Sequence, residues 1–310
     1  MADPPSGRLG RMAILSLVAG CAEPWPEPPV VDTGVFAEEH EDWRSRREAR
    51  AVEPPGGPVL WIGLWDLPHG ETVFGADPGL PIALPAEDSP PIAGTLTRQG
   101  EAVRLEPAPG AAIRVHEGDL IEGPIELRHD RMEDPTRLQL GSLGLRVHSE
   151  QGTDRLWLRA WDEDTPERET FRLPDYFPVD PAWRVQARFE PYVEPEPLRV
   201  PDVTGGMVEF IARGELVFRR GRKEHRLIAT AGETSSSYFV MMWDSTAVDA
   251  TYQGGRYLRV DFPDESGWTT IDFNRTYNAP CVFTAYSVCG LPPRRNWLPL
   301  RVEAGEQRPN

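Results

Sequence analysis

Short apolar runs separated by turn-forming residues constrain the fold of this chain more than any other feature. From Val59 onward, runs such as Val59–Leu67, Ala102–Glu106 and Gly144–His148 are bounded by glycine, proline or aspartate. The 33 prolines and 28 glycines are scattered through the chain, which suits many turns between short strands. The pattern predicts an all-β fold of mainly antiparallel, sandwich-like or barrel-like sheets.

One helix is predicted ahead of these strands, over Phe36–Ala51. Asp32 or Thr33 is suited to cap it, acidic residues come early and arginines come late, which complements the helix dipole. Phe36, His40 and Trp43 follow at i, i+4 and i+7, so they share a face that we expect to lie on a sheet. His40 is expected to pack and not to catalyse, because the sequence places no second chemical group beside it.

The N-terminus has the form of a secretory signal. Arg8 and Arg11 precede a short apolar run that ends in small residues before a cysteine, Leu17–Cys21. This run is too short to span a bilayer permanently. Its end resembles the bacterial lipobox, which implies that Cys21 is lipidated and that the protein is exported and anchored to the cell envelope on its periplasmic or extracellular face. An ordinary cleaved signal and a start at Met12 are the alternatives.

Composition divides the chain into four segments. Residues 1–20 are predicted to be a lipoprotein signal peptide, and residues 21–35 an extended proline-rich tether. Residues 36–193 are predicted to hold the helix and a β-rich domain, and residues 194–310 a C-terminal β domain. The boundary is placed at the proline-rich segment Glu194–Leu198, which is predicted to be a stiff spacer.

Charge and motif content exclude several classes of function. The formal net charge of −16 repels phosphate backbones, so no nucleic-acid partner is expected. Lys223 is the only lysine, so no phosphate-binding loop ending in Gly-Lys-Ser/Thr exists. The six histidines are dispersed without the spacing of metal ligands, and the common hydrolase motifs are absent. The sequence therefore predicts no metal and no cofactor.

Polar side chains concentrate near the C-terminus. Arg256–Phe262 is predicted to pair with Trp268–Phe273 as a final hairpin, which would bring Arg256 and Asp272 together at one rim. One interpretation is a cross-strand ion pair beside asparagines that fix a loop. The other is a polar pocket in which Arg256 binds an anionic ligand and Asp272 positions a hydroxyl. The candidate ligand-binding residues are Asp244, Tyr252, Arg256, Asp272, Asn274, Tyr277, Asn278 and Asn296.

Motifs in the last third of the chain resemble those of a known family. They are T-Y-Q-G-G-R-Y-L at Thr251–Leu258, D-F-N-R-T-Y-N-A-P-C at Asp272–Cys281, C-G-L-P-P at Cys289–Pro293, and A-G-E at Ala304–Glu306. In these the chain resembles the family called domain of unknown function 1684, and Trp43–Arg46, Trp61–Leu64 and Phe74–Pro78 echo its earlier motifs. The chain departs from the family pattern at Thr276, Ala279 and Gly290. The family is catalogued without a known activity, so the resemblance implies relatives and no function.

Two classes of function fit these observations. The first is a lipid-anchored envelope protein that binds or scaffolds envelope material, with a carbohydrate or a small anionic molecule as its ligand. The alternative is a glycosidase-like hydrolase whose carboxylate pair comes from Asp244, Asp272 and Glu303. The sequence leaves open whether the protein is an enzyme.

Cys281 and Cys289 are predicted to form a disulfide. Export would place both thiols where disulfides persist, and lipidation of Cys21 would leave them as the only pair. A pair of free thiols and a two-cysteine metal site are the alternatives.

Overall fold

The computed structural model of the protein describes residues 25–27, 30–85, 87 and 89–309. The predicted signal peptide and Cys21 lie outside these residues. The helices are α1 (Thr33–Ala51) and α2 (Glu167–Thr170). The strands of the first half are β1 (Trp61–Asp66), β2 (Gly70–Gly75), β3 (Ile82–Ala83), β4 (Gly94–Gln99), β5 (Ala102–Pro107), β6 (Arg114–Val115), β7 (Ile125–Leu127), β8 (Leu138–Leu140), β9 (Leu143–Ser149) and β10 (Leu156–Asp162). Those of the second half are β11 (Arg184–Pro201), β12 (Met207–Arg220), β13 (Lys223–Thr230), β14 (Ser237–Asp244), β15 (Arg256–Asp261), β16 (Trp268–Asp272) and β17 (Trp297–Leu298).

Helix α1 forms where the sequence predicted a helix. The Asp32 carboxylate caps it by accepting hydrogen bonds from the backbone amides of Gly34 and Val35, at 2.9 and 3.1 Å. Phe36 and His40 are both buried and their rings lie 4.2 Å apart, so they form the face that packs on the β structure. Asp32 is therefore confirmed as the cap, and His40 is buried as expected. The structure does place a second chemical group beside His40, since its Nε2 lies 2.9 Å from Asp272 Oδ2.

The first ten strands form a two-sheet sandwich. Their orders are β1-β10-β9-β8-β6 and β3-β2-β4-β5-β7, and every pair is antiparallel except β2 with β3. Alternate residues of each strand point inward, as in β4 and β5, because side chains alternate between the two faces of a strand. Leu105 and Leu127 of one sheet share a core with Leu145 and Leu158 of the other.

Six of the remaining strands form a curved sheet with the order β15-β14-β13-β12-β11-β16, and β17 pairs in parallel with β14. Its two outer strands come next to each other, where the Thr269 hydroxyl donates to the Asp261 carbonyl at 2.8 Å. The sheet thus curls towards a barrel around an apolar core that includes Leu216, Leu227 and Val240. We call this unit the barrel. Together, sandwich, barrel and a single long helix confirm the predicted all-β class.

The predicted final hairpin is wrong. Strand β15 pairs with β14, which sets Arg256 opposite Met242, and β16 pairs with β11, which sets Asp272 opposite Arg184. Sequence neighbours usually pair, but here β16 takes the free edge of the long strand β11. Arg256 and Asp272 are consequently not cross-strand partners.

Two segments differ from their predicted forms. The proline-rich segment Glu194–Leu198 lies within β11, which bulges between Pro191 and Glu196. Trp25 of the predicted tether packs on the barrel, with its ring 4.7 Å from that of Trp268 and 4.5 Å from the Arg219 guanidinium. The division into domains at residue 194 stays a prediction.

Residues 277–290, which we call the junction loop, lie between the sandwich and the barrel. From the sandwich, Arg159 of β10 donates to the Tyr286 carbonyl at 3.0 Å. From the barrel, the Tyr257 hydroxyl donates to the Gly290 carbonyl at 2.7 Å. The loop therefore contacts both units and carries much of the sequence motif Asp272–Cys281. No helix of the described residues is long and apolar enough to cross a membrane.

Candidate ligand-binding site

Arg256 is an internal clamp of the barrel. Its Nη2 donates to Asp244 Oδ1 at 2.9 Å and to the Val302 carbonyl at 3.0 Å, and its Nη1 donates to the Glu306 carbonyl at 3.1 Å. Both charged side chains are almost fully buried. The other Asp244 oxygen accepts from the Val302 amide at 2.8 Å and from the Thr246 hydroxyl at 2.7 Å. These contacts occupy the Nη atoms of Arg256 and the Oδ atoms of Asp244. Neither side chain therefore has such an atom free to bind a ligand.

Asp272 attaches α1 to the barrel. Its Oδ2 lies 2.9 Å from His40 Nε2, and its Oδ1 accepts from the backbone amide and the side-chain amide of Asn274, at 3.1 and 3.0 Å. Burial alone would raise the pKa of Asp272, but the hydrogen bonds from His40 and Asn274 lower it. The Asn274 side-chain oxygen accepts from the Asp180 amide at 3.0 Å. Asp272 and Asn274 thus hold the helix and a loop in place.

Asn296 fills a gap between two strands. Its Oδ1 accepts from the Ile228 amide at 2.7 Å, and its Nδ2 donates to the carbonyls of Ile228 and Met241, at 3.2 and 2.8 Å. Strands β13 and β14 pair directly only at Thr230 and Phe239. The buried side chain therefore supplies the hydrogen bonds that a neighbouring strand would otherwise make.

The hydrolase alternative requires two carboxylates that face one open cleft. Asp244 is buried against Arg256, Asp272 is bound by His40, and the exposed Glu303 pairs with Arg301 at 3.2 Å. Each carboxylate therefore has a different basic partner. The three residues do not provide the free pair that glycoside hydrolysis uses.

Tyr277 and Asn278 are the two predicted residues that reach a cavity with α1. This cavity, which we call the arginine cavity, has a volume of about 320 Å³. Helix α1 contributes Trp43, Arg46, Arg47 and Arg50, β15 contributes Arg259, and the junction loop contributes Tyr277, Asn278, Pro280 and Phe283. Two segments that carried the family resemblance, Trp43–Arg46 and Asp272–Cys281, meet here.

A buried carboxylate that the sequence analysis did not single out as a site residue orders one wall of the arginine cavity. Glu306 accepts from the Arg47 guanidinium, from the Tyr176 hydroxyl at 2.7 Å and from the Asn278 amide at 2.8 Å. Burial opposes the charge of Arg47, but the hydrogen bond to Glu306 raises the pKa of that guanidinium above its usual value. Glu306 thereby neutralises Arg47 and fixes it against the junction loop.

The other arginines of the cavity keep their charge available. Among the described residues, no carboxylate forms an ion pair with Arg46, Arg50 or Arg259. The side-chain oxygen of Asn278 is buried and likewise has no hydrogen-bond partner in the part of the chain that the structure describes. A cavity with three guanidinium groups that lack carboxylate partners among the described residues, and with the rings of Trp43, Tyr277 and Phe283, is suited to an anionic ligand with a flat or ring-shaped body.

A sequence signal for this wall exists. Trp43, Arg46, Arg47 and Arg50 follow at i, i+3, i+4 and i+7, which places them on one face of α1. From the sequence alone, these arginines are related only to the helix dipole, and this face is not predicted as a site. Arg259 and Phe283 have no comparable signal, because only the fold brings them to the helix.

Cys281 and Cys289 are free thiols in the structure, and the predicted disulfide is not formed. The Cys281 amide lies 3.3 Å from Cys289 Sγ, and the Ser287 hydroxyl lies 3.2 Å from the same sulfur. The hydrogen bond between the two side chains lowers the pKa of the Cys289 thiol and raises the pKa of the Cys281 thiol. Tyr252 lies beside Cys281, and burial raises the pKa of its hydroxyl. Within the described residues, no group of three or more His, Cys, Asp or Glu is arranged to hold a metal ion.

Comparison with known proteins identifies relatives without a described activity. A family model described as "Protein of unknown function (DUF1684)" matches residues 169–307. The solution NMR structure of an uncharacterized protein from gene locus rrnAC0354 of Haloarcula marismortui is 30% identical in sequence. That match covers 46% of this chain and 80% of the other, with a TM-score of 0.39. No curated protein matches the chain.

Proposed function

The chain belongs to the DUF1684 family of proteins of unknown function, which it matches over residues 169–307. We propose that it is an exported, lipid-anchored envelope protein that binds a small anionic ligand in the arginine cavity. The observation that carries the proposal is the set of three arginines, Arg46, Arg50 and Arg259, without carboxylate partners among the described residues. They line one cavity in a chain whose net charge is −16. The net charge of the whole molecule disfavours anions, so an anion would bind only where positive charge is concentrated.

Binding of an anion is tested with the sodium salt of glucuronate, a ring that carries one carboxylate. We expect calorimetry to show binding with a dissociation constant in about the millimolar range, as suits one or two charge-assisted contacts. The double variant Arg46→Glu/Arg50→Glu is expected to weaken this binding by about tenfold or more, a loss of roughly 1.4 kcal/mol.

Matched controls show whether charge at the cavity is responsible. Arg222→Glu reverses an exposed arginine at the turn between β12 and β13, far from the cavity in the sheet, and should leave glucuronate binding unchanged. Glucose, which lacks the carboxylate, should not bind detectably. Equal binding by wild type and the double variant, or no binding of glucuronate by wild type, would contradict the proposal.

Lipid anchoring and export are supported by the sequence alone. The apolar run that ends in Leu17–Cys21 has the length of a signal peptide and places small residues before the cysteine. Attached lipid would hold the protein at the envelope, where its ligand would then be found.

A disulfide between Cys281 and Cys289 is proposed for the exported protein. The two residues are already in contact through the Cys281 amide and Cys289 Sγ. Oxidation would pass the two thiol protons and two electrons to an external disulfide, which becomes two thiols, and would leave the Sγ–Sγ bond. Mass spectrometry of unreduced exported protein should find the peptides of both residues joined. Full alkylation of both cysteines in that material would contradict the proposal.

A further inference from the structure

The junction loop brings its two cysteines together beside a second cavity. Cys289 lines this cavity, which has a volume of about 330 Å³ and lies between the sandwich and the barrel. The Cys289 sulfur is 3.3 Å from the Cys281 amide, and the two thiols share a hydrogen bond. Cys281 is not among the described residues that line the cavity. The cavity therefore leads to one sulfur, and the other sulfur lies next to it.

Hydrogen-bond donors converge on the Cys289 sulfur. The Ser287 hydroxyl lies 3.2 Å from it, in addition to the Cys281 amide at 3.3 Å. The hydrogen bond with the Cys281 side chain lowers the pKa of the Cys289 thiol, burial opposes this, and the Ser287 hydroxyl lowers the pKa further. Because the thiolate is the nucleophilic form of cysteine, Cys289 is the more reactive sulfur of the pair.

The charges around the second cavity favour a thiolate at Cys289. Each carboxylate that lines the cavity has an arginine partner, Arg146 at 3.7 Å from Asp130 and Arg155 at 3.3 Å from Glu150. Their negative charges are therefore compensated. The buried Arg159 adds a positive charge that attracts a Cys289 thiolate.

The burial of Cys289 restricts the oxidants that can reach it. The residue is only 4% exposed, and apolar side chains, among them Phe210, Phe239 and Val288, line the cavity around it. A sulfur enclosed in this way cannot approach the disulfide of another protein in line. A hydroperoxide with a small organic group fits a cavity of this volume. Cys281 is the more exposed of the two, so an external disulfide would meet that sulfur first.

We propose that Cys289 is a peroxidatic thiol that reduces a small hydroperoxide in the second cavity, and that Cys281 is its resolving thiol. The inference goes beyond anion binding. It rests on the proposed function only for the cysteine pair that forms the disulfide.

The reaction has two steps. The Cys289 thiolate attacks the terminal oxygen of the hydroperoxide, so an S–O bond forms, the O–O bond breaks, and the alcohol or water leaves with the proton of the Cys289 thiol. The Cys281 sulfur then displaces water from the sulfenic acid and forms the Sγ–Sγ bond, and its own proton leaves in that water. The thiol pair is oxidised by two electrons, which reduce the peroxide.

The test adds an equimolar amount of hydrogen peroxide to the reduced full chain and traps sulfenic acid with dimedone for mass spectrometry. In the Cys281→Ser variant, which lacks the resolving thiol, we expect the adduct on Cys289. In the wild type we expect the disulfide and little adduct. In the Cys289→Ser variant, Cys281 should be oxidised at least about fivefold more slowly, because its thiol is less ionised.

A second variant tests the site with both cysteines in place. Ser287→Ala removes one hydrogen bond to the Cys289 thiolate and should slow formation of the disulfide by about twofold to fivefold. Ser142→Ala is the matched control, because the Ser142 hydroxyl binds Asp162 and does not line the cavity. It should keep the wild-type rate.

The outcomes separate this inference from the proposed disulfide. Cys289 that stays reduced in Cys281→Ser, or an adduct that forms on Cys281 as fast as on Cys289, would overturn the peroxidatic role, as would an unchanged rate in Ser287→Ala. If oxidised glutathione joins the two cysteines but hydrogen peroxide does not oxidise Cys289, the peroxide reaction is overturned and the disulfide stands. If neither oxidant joins the cysteines, both proposals fail.

Discussion

At the scale of single residues, Arg256 shows how one side chain can join separate parts of the chain. Its guanidinium contacts Asp244 at the end of β14 and three carbonyls of the C-terminal segment, those of Val302, Ala304 and Glu306. A guanidinium has several donors in a fixed plane, which lets it satisfy these acceptors together. The C-terminal segment, which makes few strand contacts of its own, is thereby fastened to the barrel.

Replacing Arg256 by methionine should destabilise the protein strongly. Asp244 would remain buried without its charged partner, which costs about 3–5 kcal/mol in free energy of unfolding. The midpoint of urea unfolding measures this. The double variant Arg256→Met/Asp244→Leu should recover part of the loss, since removing both charges avoids the unpaired carboxylate.

The matched control for this experiment is Arg301→Met. Arg301 and Asp249 form an ion pair at 3.1 Å, but both side chains are largely exposed. Solvent screens such a pair, so the urea midpoint should move far less than for Arg256→Met. Similar shifts for the two variants would show that Arg256 is not a buried clamp.

At the scale of elements, α1 depends on two polar contacts with the barrel. His40 binds Asp272 at the end of β16, and Arg47 binds Glu306 of the C-terminal segment. These contacts lie one on each side of Trp43, so they set the orientation of the face that lines the arginine cavity. The position of the cavity wall therefore follows from the docking of the helix.

The contribution of Asp272 to the stability of the fold should depend on pH, and the Asp272→Asn variant should lack that contribution. The pKa of Asp272 is lower in the folded protein than in the unfolded chain, so the unfolded chain binds the proton more readily. The ionised carboxylate therefore stabilises the fold at a pH above its pKa in the unfolded chain, about 3.9. This contribution is lost as the pH falls through the folded pKa. Near pH 6, Asp272→Asn should therefore lower stability by about 1–3 kcal/mol.

Thermal unfolding of wild type and Asp272→Asn across pH 2–6 measures this difference. The gap between the two proteins should shrink below about pH 4 as wild type is protonated. Asp134→Asn, which alters an exposed carboxylate, should show no such change in the gap. A gap that stays constant with pH would contradict a role for the charge of Asp272.

A second prediction at this scale concerns Asn296, which bridges β13 and β14. Asn296→Ala should lower the free energy of unfolding by about 1–3 kcal/mol for each backbone group left buried without a partner. Hydrogen exchange should show loss of protection at the Ile228 amide, which donates to Asn296. Protection of Ile228 equal to that in wild type would contradict the bridging role.

At the scale of the whole molecule, Trp25 limits how far a lipid anchor would hold the barrel from a membrane. Trp25 packs against Trp268 and Arg219 on the barrel. Three residues separate Cys21 from Trp25, so the four Cα–Cα steps between the two residues span at most about 14 Å. A lipid on Cys21 would therefore keep the barrel close to the membrane surface, whereas a free tether would let it move away.

The corresponding prediction is that Cys21→Ser releases the protein from membranes or leaves an uncleaved precursor. Thioether attachment requires the cysteine sulfur, and an acyl chain supplies the membrane affinity of such anchors. Fractionation of cells and the mass of the N-terminal peptide measure the outcome. Unchanged membrane association together with unchanged processing would contradict lipidation; Cys289→Ser serves as the control for cysteine loss.

The sequence by itself determined the features that depend on local chemistry. Turn residues between short apolar runs determined the all-β class, because strands end where the backbone must turn. Asp32, followed by Phe36 and His40, determined where α1 begins and which face it buries, because capping and helical periodicity are properties of neighbouring residues. Trp43, predicted for the same face, lines the arginine cavity instead. Tyr277 and Asn278 were among the predicted ligand-binding residues and do line a cavity.

Only the tertiary structure decided which distant residues meet. Strand β16 takes the edge of β11 and not that of β15, so Arg256 is enclosed with Asp244 while Asp272 meets His40. Strand pattern specifies which face is buried, but several edges can satisfy the same backbone donors and acceptors. The arginine cavity arises in the same way: Arg46 and Arg50 share a helix face by sequence, and only the docking of α1 brings Arg259 and the junction loop to them.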